Sequence, residues 1–170
     1  LSVDYPTTAG AARPNFSGLV DGVVTRLAAS GASLGFSTYL GGLESDYALC
    51  VTRAPDGTVW VGGTTNSANF PLSANALQGT PGGEKDGFVT QLPANGTALQ
   101  YSTRLGGPGP DRVRALDVAA LGVVAVGEAG VGFPVTLDAE QPVFGGGVLD
   151  AFLCHLTNGG TTLAYSTYLG

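Results

Sequence analysis

The sequence has no methionine, and only two cysteines, one histidine and one tryptophan in 170 residues. Charged residues make up just 12%, about half the share usual in soluble domains. Two cysteines, Cys50 and Cys154, are too few for the disulfide framework of a small secreted domain. No Cys-x-x-Cys and no Cys/His zinc spacing is present. A single bridge across a long loop is one reading of the pair. Two buried thiols acting as small hydrophobes is the reading we expect. Cations are also few: seven, of which only Arg112 and Arg114 lie close together. Binding a phosphate backbone needs clustered cations that release counterions, so neither a nucleic acid nor an anionic membrane is an expected partner. The longest nearly apolar stretch, Ala115 to Gly130, is short and broken by Asp117 and Glu128. It does not read as a membrane span. The missing methionine suggests a processed product or a piece of a longer chain.

What is present is apolar material and glycine. Hydrophobic residues make up 44% of the chain and glycines number 28. That much apolar content excludes a disordered chain, and the glycines follow no three-residue period, which excludes collagen. The net charge of −6 with few charges overall fits a secreted or cell-surface protein.

The chain repeats itself, and the repeat decides the fold class. Asp21-Gly-Val-Val-Thr-Arg-Leu27 returns as Asp86-Gly-Phe-Val-Thr-Gln-Leu92 and again as Asp150-Ala-Phe-Leu-Cys-His-Leu156, a spacing of 65 and then 64 residues. A second marker follows each copy: Phe36-Ser-Thr-Tyr-Leu-Gly-Gly42, Tyr101-Ser-Thr-Arg-Leu-Gly-Gly107 and Tyr165-Ser-Thr-Tyr-Leu-Gly170. A third precedes each copy, as Tyr5-Pro6, Phe70-Pro71 and Phe133-Pro134. The units are therefore 21–85, 86–149 and a partial 150–170, with 1–20 as the tail of a preceding repeat, or inter-blade connection.

Each period reads as four short strands. Residues 21–27 alternate with a period of two, and Leu34 to Leu40 forms the hairpin partner. Asn95-Gly96 and Asn158-Gly159 mark the same hairpin in the later copies, because both residue types accept positive φ. Tyr47 to Ala54 and Thr58 to Thr64 pair across Asp56-Gly57. Val113 to Ala119 and Val123 to Ala129 pair across Leu121-Gly122. Taken alone, Ala115 to Gly130 has the look of a helix; its alignment with the first copy argues for strands. The expected total is ten strands, grouped 21–42, 46–105 and 111–169. Both faces of these strands carry apolar residues, as expected when small sheets stack on like neighbours, radially in a propeller or linearly in a solenoid. The long connection Asn66 to Lys85 is expected to cross from one blade to the next.

These markers together resemble the bacterial β-propeller repeat family called SBBP, with Asp21 to Asn69 followed by Phe70-Pro71 as the best copy. The second copy departs late, where Val126-Gly127-Glu128-Ala129 replaces Val61-Gly62-Gly63-Thr64. The resemblance implies four-stranded antiparallel blades in large secreted or surface proteins of bacteria. It supplies no catalytic residues. Two and a half blades do not close a propeller, which takes roughly four to eight. The expectation is completion by further blades or by neighbouring copies, as a ring or a filament, with 1–20 docking on a neighbouring molecule.

Candidate chemistry is sparse. His155 matches Arg26 and Gln91 and reads as a polar face position. Cys154 matches Thr25 and Thr90, Cys50 matches Ala115, and both read as small core residues. Strand alternation turns His155 away from Cys154, so no nucleophile–base pair is expected and the chain is not read as an enzyme. Asp21, Asp86 and Asp150 recur, as do Asp46 and Asp111. The residue types admit calcium, for which Asp46 and Asp111 are the candidates, but no calcium-loop motif is present. The preferred reading makes each carboxylate an acceptor of backbone N–H groups at a turn. No other cofactor is indicated. Trp60, with Tyr39, Tyr47 and Tyr168, is the candidate surface for stacking on a glycan; Trp60 falls opposite Ala125 in the second copy, outside the repeat's design. The expected function is a non-catalytic extracellular structural or interaction module that self-associates or belongs to a larger propeller. The alternative is a propeller that binds a glycan or protein ligand at the cell surface.

Overall fold

In the computed structural model, residues 4–119 and 122–170 are described. They form ten antiparallel strands in three sheets with no α-helix. The strands are β1 (Gly22–Leu27), β2 (Leu34–Leu40), β3 (Asp46–Arg53), β4 (Val59–Thr65), β5 (Asp86–Leu92), β6 (Tyr101–Leu105), β7 (Asp111–Ala119), β8 (Gly122–Ala129), β9 (Asp150–Thr157) and β10 (Thr162–Leu169). A short 3₁₀ turn, Asn158–Gly160, joins the last two. Sheet orders are β1-β2, β3-β4-β5-β6 and β7-β8-β9-β10. The sheets are not closed into a propeller. The strand grouping read from the sequence is the one observed, and residues 115–119 and 122–129 are strand rather than helix. Of the turn expected at Leu121-Gly122, Leu121 lies outside the described residues.

The sheets stack face to face, and two apolar layers hold them. Between the first and second sheets lie Val24, Phe36, Leu40, Val61, Phe88 and Leu92. Between the second and third lie Trp60, Val89, Tyr101, Val113, Cys154 and Leu156. The middle sheet is buried on both faces, which explains why β4 to β6 carry apolar or small residues at nearly every position. One bulge recurs: Leu49 is the extra residue of β3 and Arg114 that of β7.

The long connection does not cross between sheets. Residues 66–85 join β4 to β5, which are neighbours in one sheet. On the way they run along the outer edge of β6, where Ser73 N donates to Ser102 O at 3.1 Å and Arg104 N donates to Gln78 O at 3.3 Å. Crossing is left to the short Gly-Gly turns, 41–45 and 106–110. The physical reason is the edge: β6 exposes unpaired backbone groups, and the returning segment covers them. The same arrangement recurs on β10, where Thr136 N donates to Ser166 O at 3.1 Å. It recurs on β2, where Thr8 N donates to Ser37 O at 3.1 Å. Within residues 4–20, expected to dock on a neighbouring molecule, Thr8 and Arg13 instead cover the chain's own β2, and Ser17, Leu19 and Val20 bond to the 41–45 turn.

The Ser-Thr pair of the second marker serves this edge. Ser102 and Ser166 hydroxyls donate to Pro71 O and Pro134 O, each at 2.7 Å. Thr38, Thr103 and Thr167 hydroxyls accept the amides of Arg13, Gln78 and Gln141 at 2.8–2.9 Å. The following tyrosine pins the Tyr/Phe-Pro marker: the Tyr39 and Tyr168 hydroxyls accept the amides of Tyr5 and Phe133 at 2.9 and 2.7 Å.

Candidate functional site

Four of the five recurring aspartates meet in pairs at the two sheet junctions, and Asp150 lies against Gly145 and Gly170 at the last turn. Asp21 Oδ2 accepts the Ser17 amide, Asp86 accepts those of Gly82 and Gly83, and Asp150 accepts that of Gly145. Asp46 accepts the Gly42 amide at 2.6 Å and the Ser67 hydroxyl at 2.7 Å. Asp111 accepts the amides of Gly107 at 2.8 Å and Gly130 at 3.1 Å. The preferred reading of all five as acceptors for turn amides is what the structure shows. Glycine is required between them. A Cβ on Gly41 would lie 2.3 Å from Asp21 Oδ1 and 2.9 Å from Asp46 Oδ2, and one on Gly106 would lie within 2.7 Å of both Asp111 and Asp86.

Each junction thus pairs two carboxylates across a glycine. Burial lifts the Asp111 carboxyl to about 7; its two amide partners pull it down and the nearby Asp86 charge adds to the rise. Burial also raises Asp86, against the pull of two amides and of Arg104. Among the described residues no group of three or more His, Cys, Asp or Glu could hold a metal ion. Asp46 and Asp111, the calcium candidates, each have a single carboxylate neighbour across their glycine, while calcium takes six to eight oxygens.

Arg104 is the residue the sequence reading passed over. It is 1% exposed and stands where the other copies carry Tyr39 and Tyr168. Its Nε lies 3.6 Å from Asp86 Oδ2, and its Nη2 donates to Ser67 O at 2.5 Å and Ala68 O at 2.9 Å. Burial lowers its pKa, and the charges of Asp86 and Asp46 oppose that. The guanidinium is therefore the counter-ion of Asp86, and the Asp46 charge of the other junction also favours its protonated form. The available signal was a lone charge in a core position of the repeat.

The remaining candidates do not assemble into chemistry. Cys154 is fully buried, and burial pushes its thiol up to about 12. Burial raises the half-buried Cys50 thiol as well, and both cysteines are free. A nucleophilic cysteine needs the opposite shift. His155 pairs with Val124 and Tyr165 across its two strand neighbours, on the face opposite Cys154. The candidate aromatic surface is not presented together. Trp60 is 4% exposed with its ring 6.3 Å from that of Tyr101, and Tyr39 and Tyr168 are buried; of the four aromatics only Tyr47 is exposed. The strand register also moves the partner of Trp60. Thr65 pairs with Asp46 and Ala129 with Asp111, so Trp60 corresponds to Val124 and not to Ala125. Arg112 and Arg114, the one close cation pair, both bind Glu128, at 2.7 and 3.1 Å.

One feature is open. β1 pairs with β2 on one side only. Beside it a cleft of about 250 Å³ is lined by Val23, Val24, Ala48, Leu49, Val51 and Val61, among others. No model of a known family matches the chain, and no curated protein matches it in sequence.

Proposed function

We propose that this chain is a non-catalytic structural or interaction module, built of propeller-type blades of the SBBP kind and working outside a bacterial cell. Its stack of sheets is completed by further blades of the same type or by copies of itself. One observation carries the reading: the residues that recur with the repeat are consumed in building it. The aspartates hold turn amides, the Ser-Thr pairs hold the covering segments, and the glycines admit the close approach. Among the described residues the recurring side chains form no group of three or more that could hold a metal ion, and both cysteines, which do not recur, are free with raised thiol pKa values. The outer face of the last sheet carries Val124, Val126 and Leu153, the kind of surface that the inner sheets bury. Electron microscopy and light scattering of the native material test this. Rings, filaments or particles well above 17.0 kDa are expected. A monomer that stays dispersed at micromolar concentration and turns over a hydrolase substrate would overturn it.

A further inference from the structure

The open edge of β1 is half of a sheet whose other half the repeat itself describes. In the second sheet β4 pairs with β5 from Val59↔Leu92 to Thr65↔Asp86, and β3 continues the sheet beyond it. In the third, β8 pairs with β9 from Val123↔Leu156 to Ala129↔Asp150, and β7 continues. β1 carries the same marker as β5 and β9, and among the described residues nothing pairs with it at the corresponding edge.

Two consequences show on the surface. Ser102 turns its carbonyl, and Arg104 its amide, to the covering segment. Alternation then gives Tyr101 and Thr103 to β5, and leaves Phe88 and Thr90 facing β4. Their counterparts on β1 are Val23 and Thr25, whose amides and carbonyls therefore face the open edge. The second consequence is apolar. Val51 on β3 is 65% exposed, whereas its counterpart Leu116 on β7 is half-buried against the β3–β4 hairpin. There a Cβ on Gly62 would lie 2.5 Å from Val113 and 3.2 Å from Leu116. Ala48 and Val51, the counterparts of Val113 and Leu116, line the cleft with no such hairpin over them.

We propose that this notch is the acceptor site for a two-stranded β-hairpin with the sequence pattern of residues 46–65. The hairpin comes from polypeptide other than residues 4–170; its second strand pairs with β1, and its small residues cover Ala48 and Val51. The reading above as a repeat module underlies this assignment. An intact second copy is a poor occupant. Its β3–β4 and β7–β8 hairpins are already paired within their own sheets. Antiparallel pairing of β1 with another β1 keeps the same face of the joined sheet on one side. Both copies would then lay their second sheets on that face, over the same strands.

The test uses the full chain and a synthetic peptide of residues 45–66. Amide exchange at Val23 and Thr25 is expected to slow about tenfold or more with the peptide. A composition-matched scrambled peptide is expected to leave it unchanged. Val23→Pro removes an edge amide without removing a β1–β2 bond, a substitution tolerated at strand edges, and is expected to abolish peptide binding. If that variant does not fold, exchange in the unaltered chain decides alone. Equal exchange with both peptides overturns the proposal. So does protection that rises with protein concentration in the absence of peptide, which would place a second copy in the notch. Loss of the notch on these grounds would leave the module reading standing if microscopy still shows rings or filaments.

Discussion

Gly96 lies against the ring of Phe36, so close that a Cβ on it would sit 2.3 Å from the ring. One repeat later Gly160 lies against Tyr101 in the same way, and the Tyr101 hydroxyl donates to its carbonyl. The turn of each outer hairpin thus seats on the first aromatic of the marker in the sheet before it. Gly31, in the corresponding first turn, has nothing within 4 Å.

This gives a matched pair of variants. Gly31 and Gly96 both have positive φ, 71° and 67°. Alanine at Gly31 should cost only the left-handed backbone, about 1–2 kcal/mol. Alanine at Gly96 adds the overlap with Phe36, another ~1–3 kcal/mol for a packed site. Urea unfolding of the two variants reads the difference directly.

Arg104 makes a sharper case. Truncation to alanine strands the buried carboxylate of Asp86 without its counter-ion and leaves Ser67 O and Ala68 O without their donor, and should cost about 3–5 kcal/mol. Arg104→Tyr places the residue that the other two copies use, whose hydroxyl holds the Tyr/Phe-Pro marker. The cost of the tyrosine variant should be clearly smaller than that of alanine. Equal costs in denaturant would mean that the lost charge alone sets the penalty and that the tyrosine ring and hydroxyl offset none of it.

The sequence disclosed the strand grouping because three markers recur in register and a strand's period of two is easily read. It did not disclose where the long connections go. A loop of twenty residues looks like a crossover until the edge of β6 is seen to need cover. The partner of Trp60 lies one residue away from the aligned Ala125 because the β7–β8 hairpin is one residue shorter than β3–β4 between equivalent pairs. The junction carboxylates were legible as turn acceptors. Their pairing across Gly41 and Gly106 was not, since it joins residues of adjacent sheets.

The burial of that pair sets a pH dependence. Asp111 rises from 3.8 unfolded to about 7 folded, and Asp86 shifts the same way. The folded state therefore holds more protons than the unfolded state between about pH 4 and 7, and stability falls as pH rises through that window. The loss should be about 2–4 kcal/mol. Urea midpoints should be higher at pH 5 than at pH 8, and Asp111→Asn should flatten the difference.

The two thiols should behave as core groups. In native protein a thiol-reactive disulfide reagent should label Cys50 slowly. It should label Cys154 only at the rate of unfolding, because that side chain is fully buried with its thiol pushed up to about 12. Rapid labelling of Cys154 would mean that the second and third sheets part readily.

Trp60, the sole tryptophan, reports on that same layer. Packed beside Tyr101 and out of water, it should emit at short wavelength in the folded chain and shift to the red in a single step as the layer opens. Glycans should neither quench nor shift it, since no part of the ring is presented for stacking. A sugar that changes Trp60 emission at millimolar concentration, without changing the unfolding midpoint, would show that the indole reaches solvent and would restore the carbohydrate-binding alternative. The substitution Trp60→Val should keep β4 in its sheet, because the equivalent strand position of the third sheet, Val124 on its uncovered face, also carries a β-branched residue. It should cost about 1–3 kcal/mol for lost volume and leave assembly size unchanged by light scattering.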